Sequence, residues 1–370
     1  MPSNLVEHFS NLPDPRSDKN KQYALADIIV LSICAIVSGA EGWEAIEKFG
    51  KEKEDWLRQF IKLENGIPSH DCISWVFSRI SPKKFQQCFI NWTQSVVELT
   101  QGEIIAIDGK TARHSYDRRL NCPAIHMVNA WASQNAMSLG QVATAEKSNE
   151  ITAIPELLEL LLIKDCIVTI DAMGCQTAIA EQIIEKEADY VLAVKGNQGH
   201  LHEALVDYFD TAIASDFKDC KKHYFEELDH GHGRTEVRRY WLSSNLSTLP
   251  EPEKWAGLQS IGLTERECHE QGKVSIERRY YIVSFQEQVE TFARAVRQHW
   301  GIENRLHWVL DVTFNEDDSR IRKGHAPENF NTLRQLALNL LRKEASKTSI
   351  KQKRFKAALS DDFRAKVVFQ

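Results

Sequence analysis

The sequence predicts a mixed α/β sheet with helices on its faces, an N-terminal helical region before it and a β-rich segment inserted in it. Three observations carry that expectation. Apolar β-type runs alternate with amphipathic helical stretches between residues 103 and 212. Residues 1 to about 98 read instead as short helices joined by turns. Residues from about 215 to 285 abandon the alternation and offer four strand candidates in succession.

In chain order, NLPDP (11–15) breaks structure and residues 24–37 form a strong helix that ends at GAEG (39–42). Residues 43–60 recur at helical period. GIPSHD (66–71) is a turn whose Ser69 or Asp71 caps a helix with the buried stripe Ile73, Val76, Phe77 and Ile80. Ser81-Pro82 opens another, to about 99. Such a bundle suits DNA binding and suits dimerisation or packing equally.

The texture changes at residue 103. Strands are expected at 103–107, 124–133, 138–145, 166–170 and 190–194, and helices at 153–163, 177–186 and 200–212, with Pro155 near a helix start, where proline is tolerated. Insertion strands are expected at 221–228, 234–242, 260–267 and 274–284. A helix through 299–307 and one at 329–341 resume the parent domain. The stretch 342–356 then carries seven basic residues against one acid, Glu344, which reads as a solvated helix end or a tail for a nucleic-acid backbone.

A chain of 370 residues with 42% hydrophobic content supports two or three modules and a sizeable core. Its net charge of −6 excludes a uniformly basic coat but leaves room for local basic patches. Eight cysteines without a CxxC pair read as free thiols in a reducing compartment, not as a zinc site. No signal-peptide core stands at the start, and the longest apolar run, 28–40, is too short to span a bilayer, so a cytoplasmic protein is expected.

The candidate chemistry lies in three acids. Asp108 and Asp171 each close an apolar β-type run, and carboxyl ends of strands line ligand crevices. Glu303 is flanked at four-residue spacing by His299 and His307 on one helix face, with Trp300, Ile302, Trp308 and Leu310 as apolar anchors. Three converging carboxylates repel one another unless a cation separates them, and all-oxygen ligation points to Mg²⁺ or Mn²⁺. Such ions serve phosphoryl transfer.

The blocks AIDGKT (106–111), TIDAMG (169–174), AVKGNQ (193–198), HWGIEN (299–304), LHWVLDVTFNED (306–317) and NLL (339–341) resemble those of DDE transposases of bacterial insertion sequences. They are most similar to the ISAs-type family, with its H-repeat-associated proteins linked to Rhs elements, and GIPSHD (66–71) resembles that family's associated helical domain. The resemblance implies an RNase H-like catalytic domain at 99–370 with a β-rich insertion at about 215–285 and a basic C-terminal tail, behind a transposase-associated domain at 1–98. It implies that Asp108, Asp171 and Glu303 hold the metal, and that the protein cuts DNA at element ends and joins the freed 3′-hydroxyl to target DNA. It further implies terminal repeats and target DNA as partners, and a homodimer when two ends are cut. The chain departs from the Tyr-Arg-Glu-Lys signature of related transposases: Val296, His299 and Leu310 stand at its Tyr, Arg and Lys positions, so His299, Arg297 and Arg305 are the substitutes for phosphate handling. Asp311 is a further acid beside the metal ligands.

Around the acids, Lys110, Arg113, His114, Arg118 and Arg119 read as a solvated loop or as phosphate contacts. Lys195 and Asn197 lie in a turn that could cradle phosphate. DHGHGR (229–234) reads as a hairpin loop from which His232 and Arg234 reach DNA. Trp300 and Trp308 read as core anchors ahead of base-stacking platforms. Two alternatives to a transposase keep this layout: a metal-dependent endonuclease without strand transfer, and a catalytically silent DNA-binding remnant.

Overall fold

Ile104 to Ile107 are four consecutive buried residues, and such a run belongs in the middle of a sheet covered on both faces. In the computed structural model, which describes residues 5–17, 21–116, 123–144, 150–217, 223–231 and 233–370, this run opens β1 (Ile104–Thr111). Strand β1 pairs antiparallel with β2 (His126–Ala132), which pairs antiparallel with β3 (Met137–Thr144). On its other side β1 pairs in parallel with β4 (Ile167–Ile170), and β4 with β5 (Asp189–Val194). The insertion supplies β6 (His223–Gly231), β7 (Arg234–Ser243), β8 (Ser260–Glu270) and β9 (Lys273–Val283). It does not form a sheet of its own. Strand β9 pairs antiparallel with β5, giving one nine-stranded sheet in the order β3-β2-β1-β4-β5-β9-β8-β7-β6.

The N-terminal region folds into α1 (Leu5–Ser10), α2 (Leu25–Val37), α3 (Trp43–Glu52), α4 (Glu54–Leu57), α5 (His70–Phe77) and α6 (Pro82–Val96). The expected helix at 43–60 is broken at Lys53, which separates α3 from α4. Ser69 is the cap of α5, its hydroxyl accepting from the Cys72 N–H. Of the thirteen residues of α2, all but Ala26 and Asp27 are buried. At about 1.5–3 kcal/mol per buried Leu, Ile or Val, it is the central helix of its layer.

Helices α7 (Glu150–Leu160), α8 (Thr177–Glu185) and α9 (Gly199–Ala214) cover one sheet face, packing on Ile105 and Ile107. Pro155 lies within α7 as the sixth of its described residues, so the expected position at a helix start is corrected. The opposite face takes α10 (Val289–His299), a π-helical turn (Ile302–His307), α11 (Trp308–Phe314) and α12 (Ala326–Lys343). Ile104 and Ala106 point to this side, as strand alternation requires.

The basic C-terminal stretch is helical and only partly solvated: Lys343, Lys347, Lys351 and Lys356 are exposed, while Lys353 and Arg354 are buried. It forms the end of α12 and α13 (Ile350–Leu359), and α14 (Asp361–Phe369) follows. Lys353 is buried and donates to the Leu341 carbonyl at 3.0 Å, while Arg354 donates to the carbonyls of Ile36 and Ala40 at the end of α2. Among the described residues the cysteines are free thiols, and Cys122 and Cys220 lie outside them. Among the described residues no helix is long and apolar enough to cross a membrane.

Candidate active site

Ile107 stands opposite Ile170 in the parallel β1–β4 pair. The next residues, Asp108 and Asp171, are therefore side by side on strands about 4.8 Å apart. Asp108 lies within β1, which runs on to Thr111, and not after its end as expected. It has the parity of Ile104 and Ala106 and so faces α10 and α11. Asp171 caps the single 3₁₀ turn Ala172–Gly174, its carboxylate accepting from the Met173 N–H at 3.0 Å. Glu303 is exposed and comes from the π-helical turn, a local widening of the helix often found at functional sites. All three line one cavity of about 200 Å³, together with Lys195, His299 and Trp300. Burial and then the neighbouring Asp171 carboxylate push the Asp108 carboxyl up to about 7, and Glu303 and Glu150 add to this against the pull of the Gly109 N–H.

The two histidines around Glu303 are anchored on different strands. His299 Nδ1 bonds the Thr169 hydroxyl at 2.9 Å, two residues before Asp171. His307 is buried, with Nδ1 3.6 Å from an Asp108 oxygen and Nε2 3.5 Å from the Asn129 amide nitrogen. Gln335 donates to Asn129 Oδ1 at 2.6 Å, which leaves the Asn129 NH₂ toward the ring and the ring N–H toward Asp108. Burial holds His299 down at about 4 and His307 at about 3, so both are neutral at pH 7. His299 is thus no cationic substitute for an arginine.

Some of the other expected phosphate contacts are engaged inside the protein. Lys110 sits among Asp311 (2.6 Å), Glu316 (2.5 Å) and Asp317 (3.3 Å), with its side chain 11% exposed, so it is neither in a solvated loop nor free for phosphate. Arg113 is exposed, 3.4 Å from Asp317, and His114 Nδ1 meets the Asp317 carbonyl. Asn197 spends its amide on the Ala172 carbonyl at 2.6 Å, bracing the turn after Asp171. Lys195 remains exposed at the cavity wall. Arg234 and Arg297 line a neighbouring groove of about 290 Å³, where Arg234 pairs with Glu236 at 2.9 Å. Arg305 is exposed, and its carbonyl accepts from Arg342. Arg118, Arg119 and His232 lie outside the described residues. Trp308 is 59% exposed, which corrects its expected core position, and Trp300 sits half-buried under the Arg279 guanidinium at 4.6 Å.

Three features escaped sequence reasoning. Arg278 and Arg279 of β9 and His202 of α9 line the acid cavity, although the Arg-Arg doublet inside a strand candidate was a visible signal. Behind Gly109, His126 bonds buried Glu150 at 2.5 Å and Thr111 at 2.8 Å. A Cβ on Gly109 would collide with that pair, so the glycine of the AIDGKT block is required by packing.

Among the described residues no three acid, histidine or cysteine side chains stand close enough, as oriented, to hold a metal ion. The donors nonetheless fit Mg²⁺ or Mn²⁺ in kind and place: oxygens only, two on adjacent strands and the third facing the same cavity.

Two aspartates and a glutamate thus face one cavity, and the family follows from comparison with known proteins. Residues 99–340 match the family model "Transposase DDE domain", and residues 6–93 match the model "DDE_Tnp_1-associated". The chain belongs to the DDE transposase family. It is 45% identical to the "Putative transposase YncI" of Escherichia coli O157:H7, covering 96% of this chain and 92% of that one. It is 43% identical to the "H repeat-associated putative transposase YhhI" of Escherichia coli K12, covering 98% and 97%. A shorter relative, the "Inactive transposase YbfQ" of the same strain, is 51% identical over 20% of this chain and 89% of its own.

Proposed function

We propose that the protein is a DNA transposase with an RNase H-like catalytic domain at 99–370, that it cleaves phosphodiesters at insertion-sequence ends, and that it joins the freed 3′-hydroxyl to target DNA. The β3-β2-β1-β4-β5 strand order supports the domain assignment. The observation that carries the chemistry is the cavity shared by Asp108, Asp171 and Glu303, where burial and then the neighbouring Asp171 raise the Asp108 carboxyl. Those three side chains would hold Mg²⁺ or Mn²⁺. Divalent ions there supply activation of the attacking oxygen and stabilisation of the leaving oxygen.

The chain's own part is geometric and electrostatic. Neutral His299 and His307 brace the helix on both sides of Glu303 without adding positive charge beside the acids. Exposed Lys195 stands at the cavity wall, where a phosphate would approach. In the first step a water oxygen bonds to phosphorus and the 3′ O–P bond breaks, leaving a 3′-hydroxyl. In the second that oxygen attacks a target phosphorus and displaces a target 3′-oxygen.

The test is cleavage of a supercoiled plasmid carrying the DNA that flanks this gene, with Mg²⁺ or Mn²⁺, by wild type and Glu303→Ala. Cuts at the element's boundaries, lost in the variant while DNA-end binding persists, are expected. Unjoined nicks lost in the variant would demote the protein to an endonuclease. A folded, DNA-binding wild type without turnover would make it a silent remnant.

A further inference from the structure

Two residues beyond Asp108 on the same face of β1, Lys110 is enclosed by three acids from the far end of the Glu303 helix: Asp311 on α11, and Glu316 and Asp317 just after it. Its surroundings exclude the role its position suggests, since reaching DNA would leave Glu316, with its side chain 1% exposed, unpaired in the interior. What the contacts do instead is set register. Asp108 and Lys110 are two residues apart on a strand, a step of about 6.6 Å. His307 and Asp311 are one turn apart on the facing helix, a step of about 6 Å. The steps match, so the Asp108–His307 approach at 3.6 Å and the Lys110–Asp311 pair at 2.6 Å form successive rungs between β1 and the continuous helix of the π-helical turn and α11. Leu310 and Phe314 also pack beneath α11, but apolar contacts tolerate small slides and rotations that a buried ion pair does not. Helix α11 has seven residues and follows a π-helical turn, where the regular hydrogen-bond ladder is interrupted.

We infer that Lys110 is a positioning residue: by tying Asp311, Glu316 and Asp317 to β1, it holds α11, and with it Glu303, in register with Asp108. The inference rests on the reading of the three acids as the metal-holding site.

The experiment uses the purified full chain and Mn²⁺ as probe, titrated by electron paramagnetic resonance without DNA. Melting curves and DNA-end binding at several salt concentrations run alongside. Lys110→Met is expected to weaken Mn²⁺ binding about tenfold or more, the scale on which partners of metal ligands act, while end affinity and its salt dependence stay as in wild type. Asp311→Asn should weaken Mn²⁺ binding in the same direction. The double variant should be no worse than Lys110→Met alone, because both remove one rung. Wild-type Mn²⁺ affinity in Lys110→Met, with a shallower salt dependence of DNA binding, would overturn the proposal and make Lys110 a phosphate contact. Should Lys110→Met not fold, Asp311→Asn decides, since it leaves Lys110 paired with Glu316 and Asp317: unchanged Mn²⁺ affinity there overturns the proposal. Glu303→Ala separates the two levels, for a variant that binds Mn²⁺ like wild type refutes the site itself.

Discussion

Asp108 is the residue on which the site's electrostatics converge. Its carboxyl is raised to about 7 by burial first and the neighbouring Asp171 next, while an unfolded chain would titrate it near 3.8. Between those values the folded state keeps a proton that the unfolded state releases, so stability falls as pH rises through this window. The metal-free protein should lose about 4 kcal/mol from this group between pH 4 and pH 8. Asp108→Asn should match wild type at pH 4 and exceed it at pH 8 in urea unfolding with chelator present. Equal pH profiles for the two proteins would mean that the carboxylates do not crowd one another. That Asp108 and Asp171 belong together was legible, because each ends an apolar run of a type that pairs in parallel. Lys110 was misread, because its three acidic partners lie about two hundred residues away and nothing in the local pattern announces them.

At the scale of elements, the Glu303 helix depends on how closely α10 approaches the insertion strands. Gly262 of β8 lies against the ring of fully buried Phe292 on α10, and a Cβ at that position would have to displace the ring. Gly262→Ala should therefore lower stability by about 1–3 kcal/mol and reduce cleavage, although it touches none of the three acids. Phe292→Leu in the same chain should recover part of both losses by making room. A thermal melt paired with the plasmid assay checks this, and a Gly262→Ala protein as stable and active as wild type would show that the contact does not set the helix. The amphipathic stripe of α10 could be read from sequence, but its partner strand could not. The π-helical turn leaves no periodic mark either, since an i to i+5 bond needs no particular residue. Helices α13 and α14 were missed for an electrostatic reason. Lys353, Arg354 and Arg364 look solvated by composition, yet each is buried with at least one donor on a backbone carbonyl.

Across the whole molecule, the boundary drawn near residue 98 divides the sequence but not the core. The first six helices share one apolar cluster with α11 through α14, and Ala106 and Trp131 of the sheet belong to it. Polar contacts cross the same boundary: Asn329 of α12 donates to the carbonyls of Phe77 and Ile80, closing the end of α5 at 2.8 and 3.0 Å. Arg354 of α13 does the same for α2 through Ile36 and Ala40. A fragment of residues 99–370 would therefore expose the face of α12 that carries Phe330, Leu333 and Leu336, and would leave buried Arg354 without two of its carbonyl acceptors. Each large apolar side chain so exposed forfeits about 1.5–3 kcal/mol, and a domain's whole stability is about 5–15 kcal/mol. The full chain is thus expected to melt in one cooperative transition, and the 99–370 fragment to aggregate or melt without cooperativity. Co-expression with residues 1–98 should restore a soluble, cooperatively melting complex. A lone fragment melting as sharply and at the same temperature as the full chain would show that the helical region is an appendage. The expected outcome makes that region half of the support for α11 and α12, and so for the placement of Glu303.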